Sequence, residues 1–300
     1  MMTNKNEAIR VGMAPISWTN DDMPELGGET PYQQILSEVA LAGFEGTEIG
    51  NKYPKDPKVL KEQLQMRGIS IASAWFSAYL TTQTWEENER SFIAFRDYLH
   101  ALGAKMINVA EQGNTIQGQM HTPIFEGKPE YTSQQWDQLT RGLDRFGDLA
   151  HDVGMEISYH HHMGTGVQTT SEIDRLMEGT DPDKVKLLVD VGHLLFSGED
   201  PVDIVKRYAS RVGHVHLKDI RPDVLQRVKD EKLSFLQAIL EGVFTVPGDG
   251  ITDFKKVLQP LLDGGYQGWF MVEAEQDPAK ADPLKNALTA RRYLREHLGV

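Results

Sequence analysis

Met155-Glu156-Ile157-Ser158-Tyr159-His160-His161-His162 is a short apolar run that ends in three imidazoles. The pattern recurs downstream. Val185 to Val189 runs into Asp190 with His193 close behind, Val212 to His214 runs into His216, and Trp269 to Val272 runs into Glu273 and Glu275. Six of the ten histidines lie between positions 160 and 216. Runs of this length read as strands, and a parallel barrel gathers the C-terminal ends of its strands around one mouth. Imidazoles and carboxylates that converge there make a divalent-cation site of mixed nitrogen and oxygen donors.

Working outward, strand-like segments fall at Val11–Ile16, Gly46–Ile49, Ile69–Trp75, Lys105–Ala110, Glu156–His160, Lys186–Asp190, Gly213–Leu217 and Gly268–Glu273. Helical patterns alternate with them at Pro31–Ala42, Pro57–Met66, Trp85–Leu102, Ser133–Val153, Ser171–Met177, Pro201–Tyr208 and Phe254–Leu262, and a last one at Pro283–Leu298 closes the chain. Helices stop at glycines 43, 68, 103, 154 and 265, and capping-box spacing marks starts at Thr84/Glu87, Thr132/Gln135 and Thr169/Glu172. Eight strands alternating with helices give an α/β fold, a (β/α)8 barrel. A doubly wound sheet would call for a glycine-rich nucleotide loop, which Gly12-Met13-Ala14-Pro15 is not. One barrel domain over residues 1–300 is expected, with an insertion around 221–250 that carries a helical pattern at Val224–Leu240 and walls the catalytic face.

Three hundred residues accommodate one barrel of about 250 residues with added loops. The absence of cysteine removes disulfides, thiolate nucleophiles and cysteine zinc sites, so any metal must be held by His, Asp and Glu. A net charge of −13 without a basic stripe argues against nucleic acid. No apolar stretch approaches the ~20 residues of a membrane span. Met1 to Arg10 is polar and lacks a signal-peptide core, so a cytoplasmic protein is expected, with a small neutral or weakly charged substrate. A homo-oligomer is left open.

Alternation puts His160 and His162 on one strand face and His161, expected to be structural, on the other. Asp190 after Leu187-Leu188-Val189 is costly unless paired or on a metal. An N-cap role is set aside, because Val191-Gly192-His193 does not read as a helix start. His216 is assigned to the metal and His214 to a deeper barrel layer. Lys218 and Arg221 are expected at the rim, where cations hold substrate oxygens or a developing enolate. Glu273 sits at the apolar-to-polar transition and is taken as a ligand, with Glu275 beside it facing substrate. Glu48 and Glu111 end strands two and four, where binding substrate hydroxyls and forming a buried salt bridge are equally consistent. Trp75, with Trp18 and Phe76, could form an apolar wall or pack in the core.

The strings Val189-Asp190-Val191-Gly192-His193 and His214-Val215-His216-Leu217-Lys218-Asp219 resemble the xylose-isomerase-like barrels, a group of sugar isomerases, ketose epimerases, dehydratases and type IV apurinic endonucleases. More narrowly, Tyr159-His160-His161-His162-Met163-Gly164-Thr165, Thr245-Val246-Pro247-Gly248-Asp249-Gly250 and Val272-Glu273-Ala274-Glu275-Gln276-Asp277 resemble the inosose dehydratase family, as does Gly12-Met13-Ala14-Pro15-Ile16-Ser17-Trp18. The resemblance spans nearly the whole chain. It implies dehydration of a cyclic polyol ketone, 2-keto-myo-inositol, to a trihydroxycyclohexane-1,2-dione in inositol catabolism, with manganese or cobalt as the metal. A thiol cofactor is left open. Many members of the wider group carry a glutamate where His160 stands.

The expected ligands are then His160, Asp190, His216 and Glu273. His162 is the expected base, and His193, Lys218 or Glu111 the acid, with His193 favoured. Glu48, Trp75, Arg221 and Glu275 are expected to contact substrate. A ketose isomerase or epimerase, or a non-catalytic sugar- or metal-binding barrel, are the alternatives.

Overall fold

The computed structural model describes residues 9–300, so all but the last two residues of the polar start Met1–Arg10 lie outside it. Strands are β1 (Ile9–Met13), β2 (Gly46–Thr47), β3 (Ser70–Ile71), β4 (Trp75–Ala78), β5 (Met106–Glu111), β6 (Glu156–His160), β7 (Val185–Asp190), β8 (Val212–Leu217), β9 (Asp219–Ile220), β10 (Phe244–Thr245) and β11 (Gly268–Val272). The helices are α1 (Tyr32–Leu41), α2 (Pro57–Gln65), α3 (Trp85–Leu102), α4 (Ser133–His151), α5 (Thr170–Gly179), α6 (Val191–Ser197), α7 (Pro201–Tyr208), α8 (Pro222–Asp230), α9 (Phe235–Leu240), α10 (Phe254–Asp263) and α11 (Pro283–Tyr293).

The main sheet runs β3-β2-β1-β11-β8-β7-β6-β5-β4, with every pairing parallel. Its two ends are one stretch of chain. Ala72 N donates to Thr47 O at 2.9 Å on one side, and Asn108 N donates to Ala74 O at 2.9 Å on the other. The path through residues 70–78 thus closes the sheet into a barrel of eight strand positions, as the alternating pattern required.

Alternation decides what lies inside. Ile157, Tyr159, Leu187, Val189, Val215 and Leu217 face outward into the main apolar core under the helices. The inward positions hold a polar layer instead. Ser158 Oγ donates to Asn108 Oδ1 (2.8 Å), and Asn108 Nδ2 donates to Glu48 Oε1 (2.9 Å) and Ser73 Oγ (3.1 Å). Buried polar atoms need partners, and here they find them across the barrel axis.

Three expectations change. Pro15 ends β1 early, and a 3₁₀ turn at Pro15–Ser17 replaces the strand expected to reach Ile16. The single helical pattern Val224–Leu240 is two helices, parted where Lys232 takes φ 52° and Ser234 opens a new capping box. Val191–Ser197 is a helix after all, with Asp190 as its N-cap. The capping boxes at Thr84 and Thr132 form as the spacing predicts, and Glu172 accepts from Thr169 N at 2.9 Å.

A second apolar cluster sits above the barrel mouth and not under the helices. Met23, Ile116, Ile124, Met163 and Phe196 pack there with Phe235, Ile239 and Phe244 of the insertion. Through these contacts residues 221–250 pack against the segments that follow the strand ends.

Candidate metal centre and active site

At the mouth, three buried atoms from three neighbouring strands face one another without hydrogen-bond partners: His160 Nε2, Asp190 Oδ2 and His216 Nδ1. Asp190 Oδ2 lies 3.4 Å from each of the two nitrogens. Glu273 Oε2 approaches His216 Nδ1 at 3.0 Å from β11. A buried polar atom left without a partner costs about 1–3 kcal/mol. Three such atoms aimed at one point, with two nitrogens and carboxylate oxygens, form a donor set that fits a divalent transition metal. Manganese and cobalt both accept such donors, and so does zinc.

The supports of this cluster follow from local sequence. Asp190 Oδ1 accepts from His193 N at 2.9 Å, capping α6, which turns Oδ2 toward the cluster. His161, on the opposite face, accepts from Asp190 N through Nε2 at 3.3 Å and so bridges β6 to β7. Glu48 Oε1 collects Ser73 Oγ (2.5 Å), Asn108 Nδ2 (2.9 Å), His216 Nε2 (3.1 Å) and His214 Nε2 (3.2 Å). Burial pushes the Glu48 carboxyl up, but His216 and His214 more than offset it and hold it well below the usual range. An ionised carboxylate only accepts, so His216 donates through Nε2 to Glu48. Burial lowers the His216 pKa, but Glu273 and Glu48 raise it well above the ordinary value, so Nδ1 carries a proton toward Glu273 that a metal ion would displace. Burial holds the His160 imidazole well below its ordinary value, leaving it a neutral donor.

A second group lies beside the first. His162, His193 and Glu275 offer donor atoms within 4.8 Å of one another. His162 Nδ1 lies 2.9 Å from Met163 O, a pure acceptor, so Nδ1 carries hydrogen and a neutral ring turns the Nε2 lone pair toward Glu275 Oε1 at 3.8 Å. Lys218 passes behind, fully buried. Its Nζ lies 2.7 Å from Glu273 Oε1, 3.0 Å from Glu275 Oε2, 3.0 Å from His193 Nε2 and 3.3 Å from Asp190 Oδ2. Burial alone would lower its pKa, but the three carboxylates raise it, so it stays charged.

Above these groups lies a cavity of about 660 Å³, within the usual size of small-molecule sites. Glu48, Trp75, His160, His162, His216, Glu273 and Glu275 line it. The Trp75 ring meets His160 edge-on at 5.0 Å and His162 at 5.5 Å, so it is a wall of the cavity and not core packing. Trp18 and Phe76 are core.

The chain belongs to the xylose isomerase-like TIM barrel family. The family model matches residues 36–297. Among curated relatives, inosose dehydratase from Geobacillus thermodenitrificans is 60% identical over 296 residues, covering 99% of both chains. Inosose dehydratase from Clostridium tetani is 57% identical over 100% of both. Solved structures of the same fold include D-psicose 3-epimerase (TM-score 0.71, 15% identity, 97% of this chain and 100% of that one) and the IolI protein with a bound zinc atom (TM-score 0.71, 15% identity, 97% and 98%). At that identity they share the barrel alone.

Against this family frame, the sequence-based site divides. His160, Asp190 and His216 converge, Glu273 meets them at His216 Nδ1, and His162 and Glu275 line the adjoining cavity. Lys218 is not at the rim: three acidic neighbours draw it inside, and with His193 it stands one layer behind the cavity wall. Arg221 is elsewhere, bonded to Gly242 O, Phe244 O, Thr245 Oγ1 and Asp249 Oδ2, where it pins the insertion. Glu111 accepts from Leu80 N, Thr81 N, Thr81 Oγ1 and Gly113 N and does not line the cavity. Its oxygens order a loop. Ser73 and Asn108, which complete the floor beneath Glu48, were missed. Inward alternation along β5 would have singled out Asn108, but nothing in sequence marks Ser73. No described helix is long and apolar enough to cross a membrane.

Proposed function

We propose that this chain is a metal-dependent hydro-lyase that dehydrates 2-keto-myo-inositol to a trihydroxycyclohexane-1,2-dione. The observation that carries the reading is the convergence of His160 Nε2, Asp190 Oδ2 and His216 Nδ1, buried and without hydrogen-bond partners, beside a cavity that His160 and His216 line. The inosose dehydratases at 60% and 57% identity over the full length supply the substrate. His160, Asp190, His216 and Glu273 would hold the ion, and manganese or cobalt is the expected metal. When bound, the ion supplies Lewis-acid polarisation of a ketone oxygen and its neighbouring hydroxyl.

The remaining chemistry belongs to side chains. His162 Nε2 takes the proton from the carbon next to the ketone, and the C–H electron pair moves into an enediolate. Glu275, 3.8 Å from Nε2, stabilises the imidazolium that results. The β-hydroxyl then leaves, taking the proton from His162 as water, and the enol tautomerises to the dione. His162 fills both roles because it faces the cavity, whereas His193 and Lys218 stand behind it and Glu111 is committed to backbone amides. Lys218 fixes Glu273 and Glu275 in place. Phe235 (5.0 Å from the His162 ring) and Phe244 (5.4 Å from His193) keep water away from this proton path.

The test is purified protein loaded with Mn²⁺ or Co²⁺ and incubated with 2-keto-myo-inositol, with ultraviolet absorbance of the dione followed in time. Recovery of an isomerised or epimerised ketose in place of dione would overturn the dehydratase reading in favour of an epimerase.

A further inference from the structure

Lys218 is a fully buried cation, and the protein is shaped around its stem. A Cβ added at Gly192 would meet Lys218 Cγ at 2.4 Å and its Cβ and Cδ at 2.7 Å, so the first turn of α6 carries a glycine where the lysine passes. The Phe244 ring covers the ammonium at 4.8 Å. Nζ ends among Glu273, Glu275, Asp190 and His193, at 2.7 to 3.3 Å. Two of those neighbours, His193 and Glu275, also belong with His162 to the second group of metal-type donors. His193 Nδ1 has no hydrogen-bond partner.

We propose that the Lys218 ammonium is the chain's own second cation, standing where His162, His193 and Glu275 would otherwise take a second divalent ion. This rests on the first ion being held by His160, Asp190, His216 and Glu273. Charge supports the assignment. One divalent ion and one ammonium offset Asp190, Glu273 and Glu275, the three carboxylates that meet Nζ, while Glu48 one layer below is held by hydrogen bonds from Ser73, Asn108, His214 and His216. While Lys218 is in place, His193 Nε2 and Glu275 Oε2 are occupied by its N–H donors, and a second ion finds no complete donor set. The device leaves His162 Nε2 uncoordinated and so available as a base.

The test is metal stoichiometry, read without turnover. Metal-free chain is saturated with Mn²⁺ or with Co²⁺, freed of excess by gel filtration and assayed for metal by mass spectrometry. Wild type should hold one ion per chain, with the spectrum of magnetically isolated Mn²⁺. Lys218→Met, and Lys218→Gln as a more polar second variant, should hold two ions and show the exchange-coupled spectrum of a pair. Adding Glu275→Gln to either should return the count to one. Two ions in wild type would overturn the proposal, as would one ion in a Lys218 variant with native circular dichroism. No ion in wild type would instead defeat the metal reading on which it rests. If both variants fail to fold, two ions in wild type still overturn the proposal.

Discussion

Replacing Glu48 with Gln separates two roles for a buried carboxylate at the barrel floor. Sequence allows Glu48 to touch substrate or to sit in a salt bridge, whereas its position beneath His216 makes it the group that orients a metal ligand. Glu48 Oε1 accepts from Ser73, Asn108, His214 and His216. Alanine would strand all four donors at about 1–3 kcal/mol each and would test only folding. Glutamine keeps an acceptor oxygen for Ser73 and Asn108 and removes the charge that strengthens the two imidazole bonds. Hydrogen bonds to charged groups contribute about 1.5–3 kcal/mol against about 0.5–1.5 for neutral ones, so each imidazole bond weakens by about 1–1.5 kcal/mol. Only the His216 share reaches the metal. That share corresponds to about a tenfold loss of metal affinity, at the lower end of the effect seen for partners of ligating histidines. Chelator competition with Mn²⁺ measures the affinity, and circular dichroism checks that the chain remains folded. Unchanged metal affinity together with a raised KM would show that Glu48 acts on substrate and that the orienting argument is wrong.

Other outcomes follow from the same geometry. Chelation should abolish dione formation, and Mn²⁺ or Co²⁺ should restore it. Free metal at 100 times Kd should add about 2.7 kcal/mol of stability, visible as a rise of a few degrees in melting temperature, and a metal-independent melt would contradict the site. Along the end of β6, His160→Ala should lose metal, His162→Ala should keep metal and lose rate, and His161→Ala should mainly lower stability. Loss of catalysis in a folded His161 variant alone would mean that the strand faces are reversed. In D₂O, His162→Ala should lose both α-proton exchange and elimination, whereas exchange that survives while elimination fails would place the base elsewhere and leave His162 the acid alone. Arg221→Ala should lower stability by about 1–3 kcal/mol, since it releases the insertion, with KM changed only a few-fold. A large KM change at unaltered melting temperature would return Arg221 to the site.

The alternation of strands and helices is legible in the chain alone, because hydrophobic period and capping chemistry are local. It also put the ligand candidates on strand ends, since each apolar run stops where the polar mouth begins. The faces of His160, His161 and His162 were legible for the same reason: a strand's period of two needs no partner to define it. How the charges share one another depends on barrel closure. Lys218 reads as a rim residue beside Asp219, yet three carboxylates from two other strands draw it inside. Glu111 and Arg221 read as site residues, yet loop amides, backbone carbonyls and Asp249 take up their donors and acceptors. Asp190 looked unlike an N-cap because Val191-Gly192-His193 is a weak helix start. Packing of Val191, Leu194 and Phe196 supplies what propensity lacks, and Asp190 divides its two oxygens between α6 and the metal-type cluster. Such partners come from strands and loops up to 168 residues apart, as Glu48 and His216 are. Sequence spacing carries no information about contacts that only closure of the barrel creates.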